Sequence, residues 1–270
     1  MGLTYAVREY GRSLYCAVTH FRHPWEVFHV LHGRSRSSYL ITLRSGPALL
    51  LRSPGSKEVC DLNILVENLL DDQYELGTIM RDGDIVVDIG AHIGIFSVLA
   101  AYRRSGIRVF AFEPEQDNFA MLRENIVANP GMNIEVYNKA VAYGGPSGNL
   151  YLSCSNTGAH SLVWGEGQAQ AVECIDLAAI LDLVPNRRID LLKVDCEGGE
   201  YNIFLNADAA DLSCIRRIVM EVHEPENTKE FHAEQVIARL TSTGFDVRTI
   251  KTIVYRGESV CHLIAATQPD

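Results

Sequence analysis

The segment 84–104 reads DIVVDIGAHIGIFSVLAAYRR and carries the clearest local pattern in the chain. Residues 85–89 form a short apolar run, which is typical of a strand buried on both faces of a sheet. Gly90 and Gly94 bracket a tight turn, and residues 96–104 then carry apolar side chains at helical spacing. A strand, a glycine turn and a helix start together predict the first half of a nucleotide-binding βα unit.

A second predicted strand, residues 107–112, supports this interpretation. It ends at Glu113, which lies 19 residues after Gly94. An acid at the end of the second strand can accept hydrogen bonds from both hydroxyls of a ribose. A glycine turn alone could merely close a tight connection, so the prediction of a nucleotide site depends on this acid.

The composition of the turn favours one class of nucleotide. Dinucleotide sites need a middle glycine where the backbone approaches the pyrophosphate, and His92 occupies that position. An imidazole would crowd a diphosphate, whereas S-adenosylmethionine carries an adenosine without any phosphate. Its sulfonium is cationic, so we expect the acid Asp88 near the turn to assist binding. The sequence therefore predicts S-adenosylmethionine as the cofactor.

Overall composition limits the other function classes. The chain has 270 residues, 47% of them apolar, which is enough for a sizeable core in one or two domains. The formal net charge is −10, from 24 basic and 34 acidic residues. Proteins that bind a phosphate backbone usually present a basic face, and no apolar run reaches the length of a membrane span. We therefore expect neither a nucleic acid nor a membrane partner.

Cysteine usage predicts the compartment. The chain has 7 cysteines, an odd number, and no C-x-x-C pair among them. Such a pattern does not suggest a disulfide framework or a zinc ribbon. We expect a cytoplasmic protein whose thiols mostly act as small core residues.

Two regions are predicted along the chain, an N-terminal α/β cap over residues 1–76 and a nucleotide-binding domain over residues 77–270. Within the cap, residues 3–21 show an amphipathic helical pattern, residues 38–52 a hairpin and residues 59–70 a helix. Every cofactor motif follows the cap. We therefore expect the cap to shape the acceptor side or to form an oligomer contact, and to contribute little to cofactor binding.

Helices and strands alternate beyond Glu113. The predicted elements are helices over 116–127, 176–183 and 229–243, strands over 133–141, 189–194 and 215–222, and a closing hairpin of strands over 245–253 and 260–267. This alternation predicts an α/β fold with a doubly wound sheet and an antiparallel edge. Residues 150–172 are the least regular part and form either a binding loop or a surface excursion.

Three motifs resemble those of the FkbM family, namely DIGAHIG at 88–94, AFEP at 111–114 and LKVDCEGGE at 192–200. That family consists of S-adenosylmethionine-dependent methyltransferases with a Rossmann-like class I fold, and many of them methylate hydroxyls of sugars or polyketide-type natural products. The third motif is the most specific part of the resemblance. Two positions depart from the family pattern, since His92 stands where asparagine is more common and Gly199 where alanine is common.

The resemblance implies a set of cofactor-binding positions. They are Asp88, Gly90, His92, Gly94, Glu113, Asn138, Ala140 and Asp195. The positions in the glycine turn are implied around the methionine part of the cofactor, and Glu113 at the ribose. Asn138 and Ala140 follow the third strand and are implied near the adenine.

The chemistry is expected where the central strands end, because ligands of open α/β sheets lie beyond the carboxyl ends of the strands. Asp195 and His223 end successive predicted strands, so their side chains can converge if those strands are neighbours. We expect His223 to be the general base that takes the proton of an acceptor hydroxyl, since the pKa of a histidine lies near neutrality. Asp195 and Glu197 are expected to orient the acceptor and His223.

Other interpretations of these residues stay open. Glu197 and Glu200 could stabilise a helix N-terminus, and Lys193 could pair with an acid such as Glu221. The three expected catalytic side chains could together bind magnesium. Carboxylates at a strand end do not by themselves specify a metal, so no metal site is predicted.

The leading prediction is an O-methyltransferase for a small-molecule acceptor, with a homo-oligomer as a further expectation. An N-methyltransferase on the same fold is the first alternative, because acceptor pockets come from variable loops. A nicotinamide-dependent oxidoreductase is disfavoured by His92 in the turn and by the acidic segment after residue 194. A cofactor-binding protein without catalysis is disfavoured by the presence of all three expected catalytic side chains.

Overall fold

The N-terminal cap contains helices and one hairpin. Its elements are α1 (Gly2–His20), α2 (Glu26–His32), β1 (Ser38–Thr42), β2 (Ala48–Arg52), α3 (Asp61–Val66), a π-helical turn (Glu67–Asp71) and α4 (Leu76–Ile79). The computed structural model describes residues 2–32, 38–52, 61–153, 157–165, 168–224, 230–254 and 260–269. The predicted first helix and hairpin are confirmed, whereas α2 was not predicted. The start of the helix predicted over 59–70 lies outside the described residues.

The rest of the chain alternates strands and helices. Its elements are β3 (Ile85–Ile89), α5 (Ile95–Arg103), β4 (Arg108–Phe112), α6 (Gln116–Val127), β5 (Asn133–Tyr137), β6 (Ala140–Val141), β7 (Ser147–Tyr151), β8 (Ala169–Ile175), α7 (Leu177–Leu183), β9 (Leu191–Val194), α8 (Gly199–Asn206), α9 (Ala209–Leu212), β10 (Arg217–Glu224), α10 (Ala233–Ser242), β11 (Asp246–Val254) and β12 (Val260–Thr267). The turn between β11 and β12 lies outside the described residues. Among the helices that the structure describes, none is long and apolar enough to cross a membrane.

Seven strands form one central sheet in the order β11-β12-β10-β9-β3-β4-β5. β4 and β5 extend the sheet on one side of β3, and β9 and β10 on the other, all in parallel. β12 runs antiparallel to both of its neighbours. The predicted doubly wound sheet with an antiparallel C-terminal hairpin is therefore confirmed. Its strand order reverses between β3 and β9, which is where open α/β sheets bind their ligands.

The central strands are apolar on both faces because helices cover both faces. Val87 and Phe110 pack in one buried cluster with α7, α8 and α10. Val86 and Val109, one residue earlier in each strand, pack in a second cluster with α5 and α6. Successive side chains of a strand point to opposite faces, so a continuous apolar run is what a doubly covered strand requires.

The strand predicted over 133–141 is wrong in its second half. β5 ends at Tyr137, and the amide of Asn138 then donates to the backbone oxygens of Glu113 and Pro114 over 2.9 and 3.0 Å. The chain leaves the central sheet here, and β6 pairs with β8 in a separate sheet of order β6-β8-β7. Both sheets bury apolar side chains, so hydrophobic periodicity alone does not reveal the change of sheet.

The cap is joined to the domain by a shared core and by two asparagine side chains. Leu51 of β2 belongs to one buried cluster with residues of α5. Asn125 of α6 accepts from the backbone N–H of Leu50 over 2.6 Å and donates to its carbonyl over 3.2 Å. Asn129, one helical turn later, makes the same two bonds to Ala48 at 2.9 and 2.6 Å. These amides complete the hydrogen bonding of the β2 edge and fix the cap on α6.

Candidate active site

A cavity lies at the carboxyl ends of β3, β4 and β9 and encloses about 700 Å³, including space open to solvent. Its walls come from the turns after these strands, from β6 and from part of the loop between β7 and β8. Ile64 of α3 adds a contribution from the cap. This is the ligand position expected for a doubly wound sheet.

The turn after β3 brings three strand ends together. Gly90 has a φ of +75°, and a Cβ at this position would lie 1.8 Å from the carbonyl oxygen of Asp195. Only glycine therefore fits between β3 and β9. His92 also has a positive φ, 52°, which is uncommon for a residue with a side chain. Its backbone N–H donates to Oε2 of Glu113 over 2.9 Å, which ties the turn to the end of β4.

Glu113, the residue predicted at the ribose, lines the cavity at the end of β4. Its Oε1 accepts a hydrogen bond from the backbone N–H of Glu115 over 3.0 Å, and the amide of Asn118 lies 3.5 Å from the same oxygen. Burial raises the pKa of Glu113 to about 7, although these donors act in the opposite direction. The donors hold the carboxylate in one orientation and leave lone pairs for the hydroxyls of a sugar.

Three further predicted cofactor residues lie outside the cavity wall in the described part of the chain. Asp88 is fully buried and pairs with Lys193. Gly94 allows α5 to pack on α6, since a Cβ there would lie 2.4 Å from a methyl carbon of Leu122. Asn138 holds the backbone after β4. Each of these residues lies behind the cavity wall in this structure, and its contact with the cofactor stays a prediction.

Lys193 is buried between two acids. Its Nζ lies 3.2 Å from Oδ1 of Asp88 and 3.7 Å from Oδ2 of Asp195. The other oxygen of Asp88 accepts a hydrogen bond from Ser97 over 2.6 Å. Burial acts to lower the pKa of Lys193, but the two acids raise it above its usual value, so the ammonium group stays charged. Among the described residues, Lys193 therefore forms ion pairs with Asp88 and Asp195. From the sequence, Glu221 had been named as a partner.

The cap also reaches the turn after β3. Arg52 of β2 forms a bidentate pair with the buried Asp61, at 3.0 and 2.8 Å. Its Nη2 lies 2.7 Å from Nε2 of His92, and because arginine can only donate, this ring nitrogen accepts. Burial lowers the pKa of His92 to about 4, so the ring is neutral. The cap thus contacts a residue of the cavity wall, and its small contribution to cofactor binding stays a prediction.

The loop between β7 and β8 forms one wall of the cavity. Four residues of this loop line the cavity, namely Thr157, Gly158, His160 and Leu162. The hydroxyl of Ser161 donates to the carbonyl oxygen of Glu197 over 2.5 Å. The ring of Trp164 packs on Gly198, where a Cβ would lie 1.9 Å from it. Of the two interpretations left open for residues 150–172, these contacts favour a binding loop.

Two of the three expected catalytic residues line the cavity. Asp195 and Glu197 follow β9, and their side chains are 29% and 25% exposed. The hydroxyl of Tyr74 donates to Oδ2 of Asp195 over 3.2 Å. Glu197 has a positive φ of 51°, and burial raises its pKa to about 7 while the nearby His223 acts to lower it. The cavity thus contains two carboxylates at the end that adjoins β10.

His223, the expected general base, does not line the cavity among the described residues. Its Nδ1 lies 3.4 Å from Glu200, and its Nε2 lies 3.8 and 3.7 Å from Glu197 and Glu221. Burial acts to lower the pKa of His223, but the carboxylate of Glu197, a hydrogen bond with Cys261 and the carboxylate of Glu200 hold it well above its usual value. A raised pKa disfavours the neutral imidazole that a general base requires. The role of His223 as the base stays a prediction.

Residues from distant parts of the chain also reach this end of the site, and no sequence pattern predicted them. Tyr74 donates to Oε1 of Glu221 over 3.0 Å, and Gln73 donates to the same oxygen. Cys261 of β12 donates to Oε2 of Glu221 over 3.3 Å. The one local signal was that Glu221 and His223 are two residues apart on a strand and therefore share a face. The other contacts span 40 residues or more, so no local pattern connects them.

The sequence profile of the methyltransferase FkbM domain matches residues 88–247, more than half of the chain. The chain belongs to this family. It is an S-adenosylmethionine-dependent methyltransferase with a class I fold, and its cofactor is S-adenosylmethionine. The resemblance in the sequence and the predicted cofactor are therefore confirmed.

Individual relatives of this FkbM-domain protein are methyltransferases too. The 31-O-demethyl-FK506 methyltransferase FkbM of Streptomyces tacrolimicus is 27% identical over 254 residues, which cover 80% of this chain and 95% of the relative. The hexuronic acid methyltransferase AglP of Haloferax volcanii is 26% identical over 154 residues, 56% of this chain and 60% of the relative. Among solved structures, the precorrin-6y C5,15-methyltransferase of Geobacter metallireducens has a TM-score of 0.46 at 15% identity, over 80% of this chain and 94% of that one.

The residues at the cavity of this methyltransferase fit the cofactor. Gly90 lines the cavity without a side chain. Glu113 offers carboxylate oxygens to the two hydroxyls of a ribose. Asp195 and Glu197 place negative charge in the cavity, which is favourable beside a sulfonium.

Proposed function

We propose that this methyltransferase transfers the methyl group to an oxygen, the hydroxyl of a small molecule of the sugar or polyketide type. The observation that carries the proposal is the pair of cavity-lining carboxylates, Asp195 and Glu197. A neutral amine attacks a methyl group with its lone pair and can lose its proton afterwards. A hydroxyl needs a base during the attack, and a carboxylate in the cavity supplies one.

The names of two relatives support the same class of acceptor. One name, 31-O-demethyl-FK506 methyltransferase, specifies an oxygen as the methylated atom. The other specifies hexuronic acid, a sugar acid, as the substrate. We extend both to this chain as an oxygen acceptor on a sugar or a natural product.

Two residues of the cavity have different roles in the proposed reaction. When bound, S-adenosylmethionine supplies a methyl group on a positively charged sulfur, and its transfer leaves S-adenosylhomocysteine. Glu197 accepts the proton that the acceptor hydroxyl releases as its oxygen bonds to the methyl carbon. Asp195, held by Tyr74 and Lys193, accepts a hydrogen bond from the acceptor and aligns it for in-line attack.

The cap completes the acceptor side in this proposal. Gln73 and Tyr74 precede α4 and donate to Glu221 and Asp195, at the end of the site away from the ribose position. Point changes in the cap should therefore alter the acceptor affinity. The oligomer contact of the cap and the cytoplasmic location stay predictions.

Transfer of an isotope-labelled methyl group to matched acceptors tests the proposal. Each pair of acceptors would differ only in the attacking atom, such as a sugar and its amino analogue, and mass spectrometry would locate the label. We expect methylation of the hydroxyl compounds. Label found on the nitrogen of the amino compounds alone would overturn the proposal, and reactions without acceptor supply the background.

A further inference from the structure

Three side chains of different chemistry meet on one face of the sheet beside the cavity. Glu221 and His223 are two residues apart on β10, so they project from the same face. The β10–β12 register puts Cys261 directly opposite His223, and cross-strand partners share a face. Cys261 is a fully buried free thiol, whereas Glu221 and His223 are 12% and 14% exposed. Carboxylate, imidazole and thiolate are the groups that bind zinc in proteins.

The spacing of the three ligand atoms fits one shared ion. Sγ of Cys261 lies 3.3 Å from Oε2 of Glu221, and Nε2 of His223 lies 3.7 Å from the same oxygen. All three atoms lie within 4.8 Å of one another. Zinc binds its ligands at roughly 2.0–2.3 Å, so tetrahedral ligand atoms lie about 3.3–3.8 Å apart. The separation of 3.7 Å is longer than a direct hydrogen bond between nitrogen and oxygen, and it lies within the range for two ligands of one zinc ion.

The remaining polar atoms of two of these side chains already have partners. Nδ1 of His223 lies 3.4 Å from Oε1 of the fully buried Glu200, which leaves Nε2 to face the cluster. Oε1 of Glu221 accepts from Tyr74 and Gln73, which leaves Oε2 to face the cluster. In metal sites, a ligating histidine commonly hydrogen-bonds a carboxylate through its other ring nitrogen, and a ligating carboxylate accepts hydrogen bonds on its other oxygen. Such contacts orient the metal ligands.

We propose that Glu221, His223 and Cys261 bind a divalent transition-metal ion, with zinc as the best match to this set of ligands. A thiolate disfavours magnesium, which prefers oxygen ligands. Three protein ligands leave a fourth position open, and Oε2 of Glu197, 3.8 Å from Nε2 of His223, borders it. Binding of the ion is independent of the acceptor.

A cobalt titration of the reduced, metal-free protein tests the site without any acceptor. We expect saturation at one equivalent, with visible bands of tetrahedral cobalt and a thiolate-to-cobalt charge-transfer band in the near ultraviolet. Cys261→Ser should abolish the charge-transfer band and weaken binding at least about tenfold. Cys214→Ser is the matched control, because that thiol contacts the carbonyl of Ala210 outside the cluster, and it should keep both signals. A spectrum unchanged by Cys261→Ser, or no saturable cobalt binding at all, would overturn the site.

Two further variants distinguish the loss of a metal ligand from misfolding. His223→Gln removes the nitrogen ligand and should also weaken cobalt binding, and the unfolding temperatures of the metal-free proteins report whether each variant is folded. Tyr74→Phe keeps all three ligands and loses one hydroxyl behind Glu221, so cobalt binding should weaken about 10–100-fold. If the protein transfers methyl groups but does not bind cobalt, the proposed metal site is wrong and the proposed O-methylation stands. If the protein binds cobalt but methylates no hydroxyl, the proposed O-methylation is wrong and the proposed metal site stands.

Discussion

Nη2 of Arg52 lies 2.7 Å from Nε2 of His92, and this contact joins the cap to the turn after β3. The guanidinium is held from the other side by the buried carboxylate of Asp61, so its position is set by the cap. The ring that it contacts lines the cofactor cavity. The cap therefore contacts the wall of this cavity, although every cofactor motif follows it in the sequence.

Arg52→Met should weaken the binding of S-adenosylhomocysteine by about 1.5 kcal/mol, roughly tenfold, because His92 loses its charged donor. Calorimetry measures this affinity. Since the single change leaves Asp61 buried without its partner, a double variant with Asp61→Asn keeps the test valid if the single variant is unstable. Arg12→Met is the control, because Arg12 pairs on the cap surface, and it should bind like the wild type. Wild-type affinity in the Arg52 variants would show that the cap does not act on the cofactor.

Glu197→Gln should lower kcat by about 10²–10⁴ and leave the affinity for S-adenosylhomocysteine nearly unchanged, because it removes the proton acceptor and keeps the shape of the side chain. Single-turnover methyl transfer and calorimetry measure the two quantities. Glu173→Gln, at an exposed ion pair with Lys139, is the matched control and should keep the full rate. Near-full activity of the Glu197 variant would mean that alignment alone drives the reaction.

Glu113→Ala should weaken the binding of S-adenosylhomocysteine by roughly 1.5–3 kcal/mol, which is the range for hydrogen bonds to a charged group. NAD should show no measurable binding to the wild type, since His92 occupies the position where a dinucleotide site needs glycine. Calorimetry with both ligands tests this. Unchanged affinity in the variant would remove Glu113 from the ribose site.

The affinity for S-adenosylhomocysteine should also depend on pH through Glu113. Burial raises the pKa of this carboxyl to about 7, and the ionised form is the one that accepts from both ribose hydroxyls. Affinity should therefore fall as the pH drops below about 7 and level off above it. Glu113→Gln cannot ionise and should lose this dependence. A pH profile identical in the two proteins would contradict the assignment.

Lys193→Met should destabilise the protein by about 3–5 kcal/mol, because Asp88 would be left buried without its cation. Urea unfolding measures the change in the free energy of unfolding. The double variant with Asp88→Asn removes both charges and should recover part of the loss. A loss below about 1 kcal/mol in the single variant would indicate that the pair has little structural role.

Prediction from sequence succeeded where a short pattern carries the signal. The apolar run of β3, the bounds of α6 and the turn around Gly90 follow from local periodicity and from the steric freedom of glycine. The position of Glu113 at the end of β4 was predicted because its distance from the glycine turn corresponds to one helix and one strand. The break after Tyr137 was missed, because two different sheets bury equally apolar segments there.

The amino-acid sequence by itself determined the doubly wound sheet, the cofactor and the acidic segment after β9, because each depends on residues that are close along the chain. Only the tertiary structure decided what surrounds those residues. His223 was expected to be a neutral base, but folding brings Glu197, Glu200 and Cys261 around its ring, from separate elements. Protonation and metal binding depend on such neighbours through distance and burial, and these are set when the strands assemble.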